Sequence, residues 1–344
     1  MKTKGNLLVG LAVLALVAPR AASALDSKVI YGTDDRLNYY EASANEQLAA
    51  RSTAAVVSSI DLSTSDGGLT YNLPGGTAGL CSTEPFYTEP APAFCSAFKV
   101  ADDMVVTAGH CVNAGAGGSC AGTSFVFDFR MDGPGDTPNL GIPAADVYDC
   151  VDIVGKELGG ADLSDWSLLR VDRPITGGRA NLAYRTAAMS NIPSNEPITV
   201  IGYPIGLPVK ISNNAVVKLN GQAAYFSSNL DTYGGNSGSS VFNTASIAAM
   251  VKHYAEDTVR GSNDFSQTFP CRISNVCPDT GCPGFEDVTR AKEFENCLDS
   301  GTDCGQAAPP SCSPVAAAGT AGGALPYALT ALAVTVGGLR RRRR

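Results

Sequence analysis

Val106-Thr107-Ala108-Gly109-His110-Cys111 closes an apolar run that begins at Met104, and it carries one of only two histidines in the 344-residue chain. Met104-Val105-Val106-Thr107 is rich in the β-branched residues that suit a pleated, half-buried strand. His110 therefore stands directly after a strand, between a glycine and a cysteine. Any mechanism that needs an imidazole base near neutral pH must use His110 or His253.

Two further stretches supply what such a base can act with. Tyr233-Gly234-Gly235-Asn236-Ser237-Gly238-Ser239 sets a serine among glycines. Glycines let the backbone fold so that the amides of Gly235 and Ser237 point at one place, where a carbonyl oxygen would become an oxyanion. Asp165-Trp166-Ser167-Leu168-Leu169-Arg170-Val171 puts an acid at the start of an apolar strand. A buried carboxylate there can accept a hydrogen bond from imidazole Nδ1–H and hold the tautomer. Asp162 is its nearest rival, and Asp146, Asp149 and Asp152 read as solvated. The order His, Asp, Ser excludes the α/β-hydrolase arrangement, which needs an acid between serine and histidine. No carboxylate lies between Ser237 and His253, and Ser239 stands where the Gly-x-Ser-x-Gly elbow needs glycine.

Thr107-Ala108-Gly109-His110-Cys111 matches the histidine motif of the chymotrypsin-fold, trypsin-like serine proteases. Gly235-Asn236-Ser237-Gly238-Ser239 resembles the nucleophile loop of bacterial glutamyl endopeptidases, and Asp165-Trp166-Ser167-Leu168-Leu169 fits the same group. The resemblance extends to Val29–Arg36, Phe98–Cys111, Gly202–Lys210 and Glu286–Arg290, and spans residues 29 to 298. It implies an all-β fold of two six-stranded antiparallel β-barrels with a C-terminal helix and an active site between the barrels. It further implies a triad of His110, Asp165 and Ser237, an oxyanion hole at Gly235 and Ser237, protein or peptide substrates, and no metal or organic cofactor. Cys95 and Cys111 have the spacing of the family's histidine-loop disulfide, and Cys120–Cys150 is a second candidate. For the substrate pocket the resemblance points to Asp231, Thr232 and Val251. Asp231 stands where trypsin-like enzymes bind Arg or Lys, and Thr232 where glutamate-specific relatives use threonine. His253 reads as a loop residue. Asn236 departs from the acid that animal trypsins use in activation, so a cut between Lys28 and Val29 is expected to mature the chain in another way.

Short runs of β character recur outside these motifs: Ser124–Arg130, Asp146–Val154, Ile198–Tyr203, Val209–Leu219, Gln222–Phe226, Ser240–Phe242 and Ile247–Tyr254. Phe125, Phe127 and Phe129 alternate with Val126, Asp128 and Arg130, which predicts a strand with one buried face. Late in the chain, Asp287 is expected to cap a helix whose face carries Val288, Ala291, Phe294 and Leu298.

The ends carry targeting signals. A basic start, an apolar run from Leu7 to Ala18, and Ala22-Ser23-Ala24 read as a signal peptide over residues 1–24. The protease domain spans 25–299, a linker 300–314, and a hydrophobic segment 315–344 that ends in five arginines. That tail resembles bacterial sorting tags of the MYXO-CTERM type, and it predicts a cell-surface or membrane association. Export makes the eleven cysteines mainly disulfides. The spacing of Cys271, Cys277 and Cys282 is not that of the usual zinc pairs. Net charge is −8, which argues against nucleic acid as a partner. The expected protein is an exported monomeric serine endopeptidase. The alternative is an inactive surface binding protein on the same scaffold.

Overall fold

The computed structural model describes residues 30–112, 120–158, 163–245, 256–257, 264–278 and 284–300. The expected signal peptide, the tail, the Lys28/Val29 cut, Asp162, Val251 and His253 lie outside them, as does the strand expected over Ile247–Tyr254. Among the described residues, no helix is long and apolar enough to cross a membrane.

After a two-residue strand, Ile30–Tyr31, that pairs in parallel with Val276–Cys277, the chain forms β1 (Arg36–Asn38) and α1 (Ala44–Arg51). Helix α1 starts where Ser43 accepts the Glu46 amide and Glu46 reaches back to Ser43, a reciprocal capping box. Six strands follow: β2 (Thr53–Ser58), β3 (Cys95–Ala101), β4 (Met104–Thr107), β5 (Thr123–Phe127), β6 (Val147–Leu158) and β7 (Asp165–Val171). They close an antiparallel barrel in the order β6-β7-β4-β3-β2-β5.

The second half contributes β8 (Pro197–Gly202), β9 (Lys210–Leu219), β10 (Tyr225–Ser228), β11 (Ser240–Asn243), β12 (Glu256–Asp257) and β13 (Glu286–Thr289). Their antiparallel pairings run β8-β11-β12-β13-β10-β9, and β9 returns to β8, so six strands complete a second circuit. Strand β1 adds to the start of β9, with Asn38 opposite Lys210. The all-β, two-barrel expectation is met.

The core has three large parts, besides the small pair of Ile30 and Tyr233. One fills the first barrel with Ala54, Val56, Phe125, Phe127 and Leu169, and another fills the second with Ile198, Val200, Val217, Phe226 and Val288. The third draws on both halves, through Phe98, Val106 and Leu168 together with Ile201, Tyr203 and Phe242. Strand β5 is buried on both faces, not one, because Val126 joins this shared cluster while Phe125 and Phe127 face the barrel interior. The strand ends at Asp128, whose φ of +60° breaks the alternation and turns Phe129 to the shared cluster.

The last helix also differs from expectation. Glu286–Thr289 is strand β13, so Asp287 is no cap, and α2 spans Lys292–Ser300. Val288 points into the second barrel, where β-branched packing outweighs the helical spacing. Ala291 and Phe294 do lie on a buried face. Phe294 sits against the rings of Phe98, Trp166 and Tyr184, so α2 ties the end of the second barrel onto the first. Asp146 and Asp149 are engaged as well: Arg179 pairs with Asp146 at 2.5 Å, and Ser124 donates to Asp149 at 2.6 Å.

Candidate active site

Strand register brings the first two site residues together. Ser167 of β7 pairs with Thr107 of β4, so two residues further along, Asp165 stands beside Gly109, where β4 gives way to the turn Gly109–Cys111. A side chain on Gly109 would place its Cβ 2.2 Å from the Glu157 carbonyl oxygen and 2.9 Å from Asp165 Oδ1. Glycine is therefore what lets the acid close on the histidine. Asp165 is 1% exposed, and both of its oxygens hold His110. Oδ1 accepts the His110 backbone N–H at 3.0 Å, and Oδ2 lies 2.6 Å from Nδ1. The opposite ring nitrogen, Nε2, lies 2.8 Å from Ser237 Oγ.

Ser237 belongs to the second half of the chain, and its loop is fixed by main-chain contacts with β3. The Ser96 amide donates to the Ser237 carbonyl at 2.8 Å, and Ser96 Oγ donates to the Gly235 carbonyl at 2.7 Å while accepting the Tyr203 amide at 2.9 Å. The approach is close enough that a Cβ on Gly238, at φ +83°, would lie 2.0 Å from the Ser96 carbonyl oxygen. Gly235 takes φ +100°, a left-handed conformation open to glycine. Among the described residues, the amides of Gly235 and Ser237 donate to no acceptor. Asn236 is buried and braces the loop from within. Its Oδ1 accepts the Tyr233 amide at 3.1 Å and its Nδ2 donates to Ser239 Oγ at 3.2 Å.

The disulfide Cys95–Cys111 joins β3 to the residue after His110, and Cys120–Cys150 is also formed. A third bond, Cys81–Cys271, spans 190 residues. Cys277 is disulfide-bonded too, so two of the three thiols weighed for zinc are committed elsewhere. Cys95, His110 and Cys111 lie close enough to suggest a metal, but the two sulfurs are bonded to each other.

Asp231 and Thr232 are both buried just ahead of this loop. The Asp231 carboxylate is engaged by the opening segment: it accepts the Tyr31 amide at 2.8 Å and the Asp35 amide at 3.4 Å. Burial pushes its carboxyl up to about 8, and the neighbouring Asp35 charge adds to the rise. Ile30 packs against Tyr233 in the same segment, and the Arg36 guanidinium lies 4.5 Å above the Tyr233 ring. Beside Gly235 opens a cavity of about 240 Å³, walled by Phe94, Ile205, Asp264, Phe265 and Arg272. Asp264 accepts the Gly234 amide at 2.8 Å.

Residues 95–246 match the family model of the trypsin-like peptidase domain. His110, Asp165 and Ser237 all fall inside the matched stretch. Among solved structures, a Glu endopeptidase in complex with MPD aligns at 16% identity, covering 79% of this chain and 98% of that one, with a TM-score of 0.48. The human heparin binding protein aligns at 11% identity, covering 74% and 92%, with a TM-score of 0.46. No curated protein sequence matches the chain.

Sequence reasoning missed Ser96, Asp264 and the Cys81–Cys271 bond. Ser96 left a weak signal, a hydroxyl next to the cysteine of the histidine-loop disulfide. The others depend on long-range contacts that no local pattern encodes.

Proposed function

We propose that the chain is an exported serine endopeptidase in which His110, Asp165 and Ser237 carry the chemistry. The observation that carries the reading is the double engagement of one imidazole, 2.6 Å from a buried carboxylate and 2.8 Å from a serine hydroxyl. A carboxylate at Nδ1 fixes the tautomer that leaves Nε2 as the acceptor for the serine proton. Ser237 Oγ attacks the peptide carbonyl carbon as Nε2 takes that proton. The tetrahedral oxyanion is met by the amides of Gly235 and Ser237. His110 then passes the proton to the departing amine as the C–N bond breaks, leaving an acyl ester on Ser237. Water, deprotonated by the same nitrogen, hydrolyses the ester and regenerates the hydroxyl. Asp165 keeps its charge throughout and stabilises the imidazolium.

Export follows from the residue 1–24 leader, and three disulfides among the described residues are consistent with it. The residue 315–344 segment is the proposed sorting or surface tag. The test uses secreted protein lacking leader and tail, beside Ser237→Ala, on a mixed peptide library read by mass spectrometry. The expected result is cleavage by the parent alone, with the variant slower by about 10⁶ in turnover. Equal activity in the two forms, or none in either, would overturn the assignment.

A further inference from the structure

Apart from the triad, the molecule holds a second cavity of about 610 Å³, a size that takes a small ligand. It shares no wall residue with the cavity beside Gly235. Its walls carry three carboxylates, Glu84, Glu89 and Asp136, and three aromatic rings, Tyr40, Phe86 and Tyr87. No lysine, arginine or histidine lines it.

Charge selects the occupant. Buried Lys210 pairs with Glu89 at 2.6 Å and cancels one of the three acids. Glu84 and Asp136 make no ion pair among the described residues, and Glu84 Oε1 and the Asp136 carboxylate have no hydrogen-bond partner there. The uncancelled acids repel an anion. Aromatic faces attract positive charge. Phe86 already does so, with the Lys210 ammonium 4.2 Å and the Arg36 guanidinium 5.2 Å from its ring centre. The faces of Tyr40 and Tyr87 hold no cation among the described residues. A metal ion fits badly, because the three carboxylates do not converge within ligand reach of one another. An ammonium or guanidinium on an apolar stem fits, with Met131 and Pro138 in the wall to cover the stem.

Two chains of contact lead from this cavity to the nucleophile loop, and both end on Tyr233. Glu84 Oε2 accepts the Ser274 amide at 3.2 Å and the Ser274 hydroxyl, which itself accepts the Tyr233 O–H at 2.6 Å. Arg36, which touches the Phe86 ring, also lies 4.5 Å from the centre of the Tyr233 ring. The Tyr233 amide in turn donates to Asn236, the brace of the loop that carries Gly235 and Ser237. Phe86 takes φ +61°, a conformation that bulky residues rarely adopt, and such strain collects at working sites.

We propose that this cavity is an effector site for a small organic cation, which acts on the nucleophile loop through Glu84, Ser274 and Tyr233. The effect on turnover rests on the peptidase reading of Ser237; the binding does not. A cation on Glu84 Oε1 pins the carboxylate whose other oxygen holds Ser274. That fixes Tyr233, and with it the peptides that carry the Gly235 and Ser237 amides. Donors held in place ahead of the reaction lower its barrier, so occupancy raises kcat.

Cadaverine, an alkyl diammonium, serves as the probe, with pentanol as its neutral control. Calorimetry on the Ser237→Ala protein should show binding of cadaverine alone, and Glu84→Gln in that background should weaken it by about tenfold or more. If Glu84→Gln fails to fold, Asp136→Asn, on the exposed rim, gives the same reading. In the parent, saturating cadaverine should raise kcat on a fixed peptide by about fivefold. Tyr233→Phe, which keeps the ring and removes the hydroxyl, should keep the binding and lose most of the rise. A rise that survives Glu84→Gln is aminolysis of the acyl ester and counts against the site. Equal binding of both compounds, binding indifferent to both carboxylates, or a kcat unmoved at saturation would overturn the effector site. The two readings fail separately. Cleavage by the parent without carboxylate-dependent cadaverine binding sinks the effector site and leaves the peptidase. Such binding with no cleavage by the parent supports the cation site and sinks the peptidase.

Discussion

Ser96 shows how a residue remote from the reacting atoms can govern them. Its amide and hydroxyl both serve the nucleophile loop, and the hydroxyl also accepts from Tyr203 at the end of β8. Ser96→Ala removes the donor to the Gly235 carbonyl and strands two buried groups, a cost of about 1–3 kcal/mol. The Gly235–Asn236 peptide, which lies between the Gly235 and Ser237 amides, loosens. The expected outcome is a fall of about tenfold or more in kcat with KM little changed, and Ser96→Thr should restore part of it. A change confined to KM would contradict this role. At this scale the meeting of His110, Asp165 and Ser237, the proposed triad, was legible in the sequence, because each sits in a short motif whose meaning is local. Asp264 was not. It holds the Gly234 amide from thirty residues away along the chain, and no local pattern marks it.

Among the elements, α2 does work that its length of nine residues does not suggest. It follows β13 of the second barrel and seats Phe294, 1% exposed, against three rings of the first half. Phe294→Ala should cost about 3–5 kcal/mol, the range for an aromatic core truncation. Chemical denaturation would read this as a lower midpoint with an unchanged slope, and a loss below about 1 kcal/mol would mean that the helix is peripheral. The sequence located this face correctly through Ala291 and Phe294 but began the helix four residues early. Val288 satisfies a helical spacing and a strand interior equally well, and only pairing with Phe226 decides between them. The same ambiguity affected β5. Alternation predicts which residues share a face, yet it cannot say that both faces are covered, because that depends on a second barrel packing outside the first.

The whole molecule carries an unusual set of buried carboxyls. Asp35, Glu89, Asp231, Asp264 and Glu286 are all raised, chiefly by burial, with Asp231 at about 8. A carboxyl whose folded pKa exceeds its unfolded value of roughly 4 keeps its proton in the native state while the unfolded chain loses it. The folded state then binds more protons, and stability declines as pH rises from about 4 toward 8. Lys210, lowered to about 8 chiefly by burial despite its pairing with Glu89, works in the opposite sense above that pH, where the unfolded chain holds the extra proton. Thermal melting followed from pH 5 to 8 should therefore show Tm falling, and Asp231→Asn should flatten the slope. A Tm that climbs over this interval would refute the account. Two barrels were readable from three motifs in fixed order. The buried carboxyls were not, because burial is a property of the assembled fold.

The Cys81–Cys271 bond encloses all three proposed catalytic residues within one covalent ring. A peptidase is exposed to its own copies at every collision, and exposed loops are where such attack begins. One cut anywhere between residues 81 and 271 opens the ring without detaching a fragment, so the nicked molecule keeps its nucleophile and its base on one covalent body. Aged protein nicked within the ring should then run as a single band on a non-reducing gel and split into pieces only once a thiol is added, while Cys81→Ala/Cys271→Ala should shed without reductant any piece cut outside the Cys95–Cys111 and Cys120–Cys150 loops. Longevity in a self-digesting population would thus be written into a cross-link that takes no part in the chemistry.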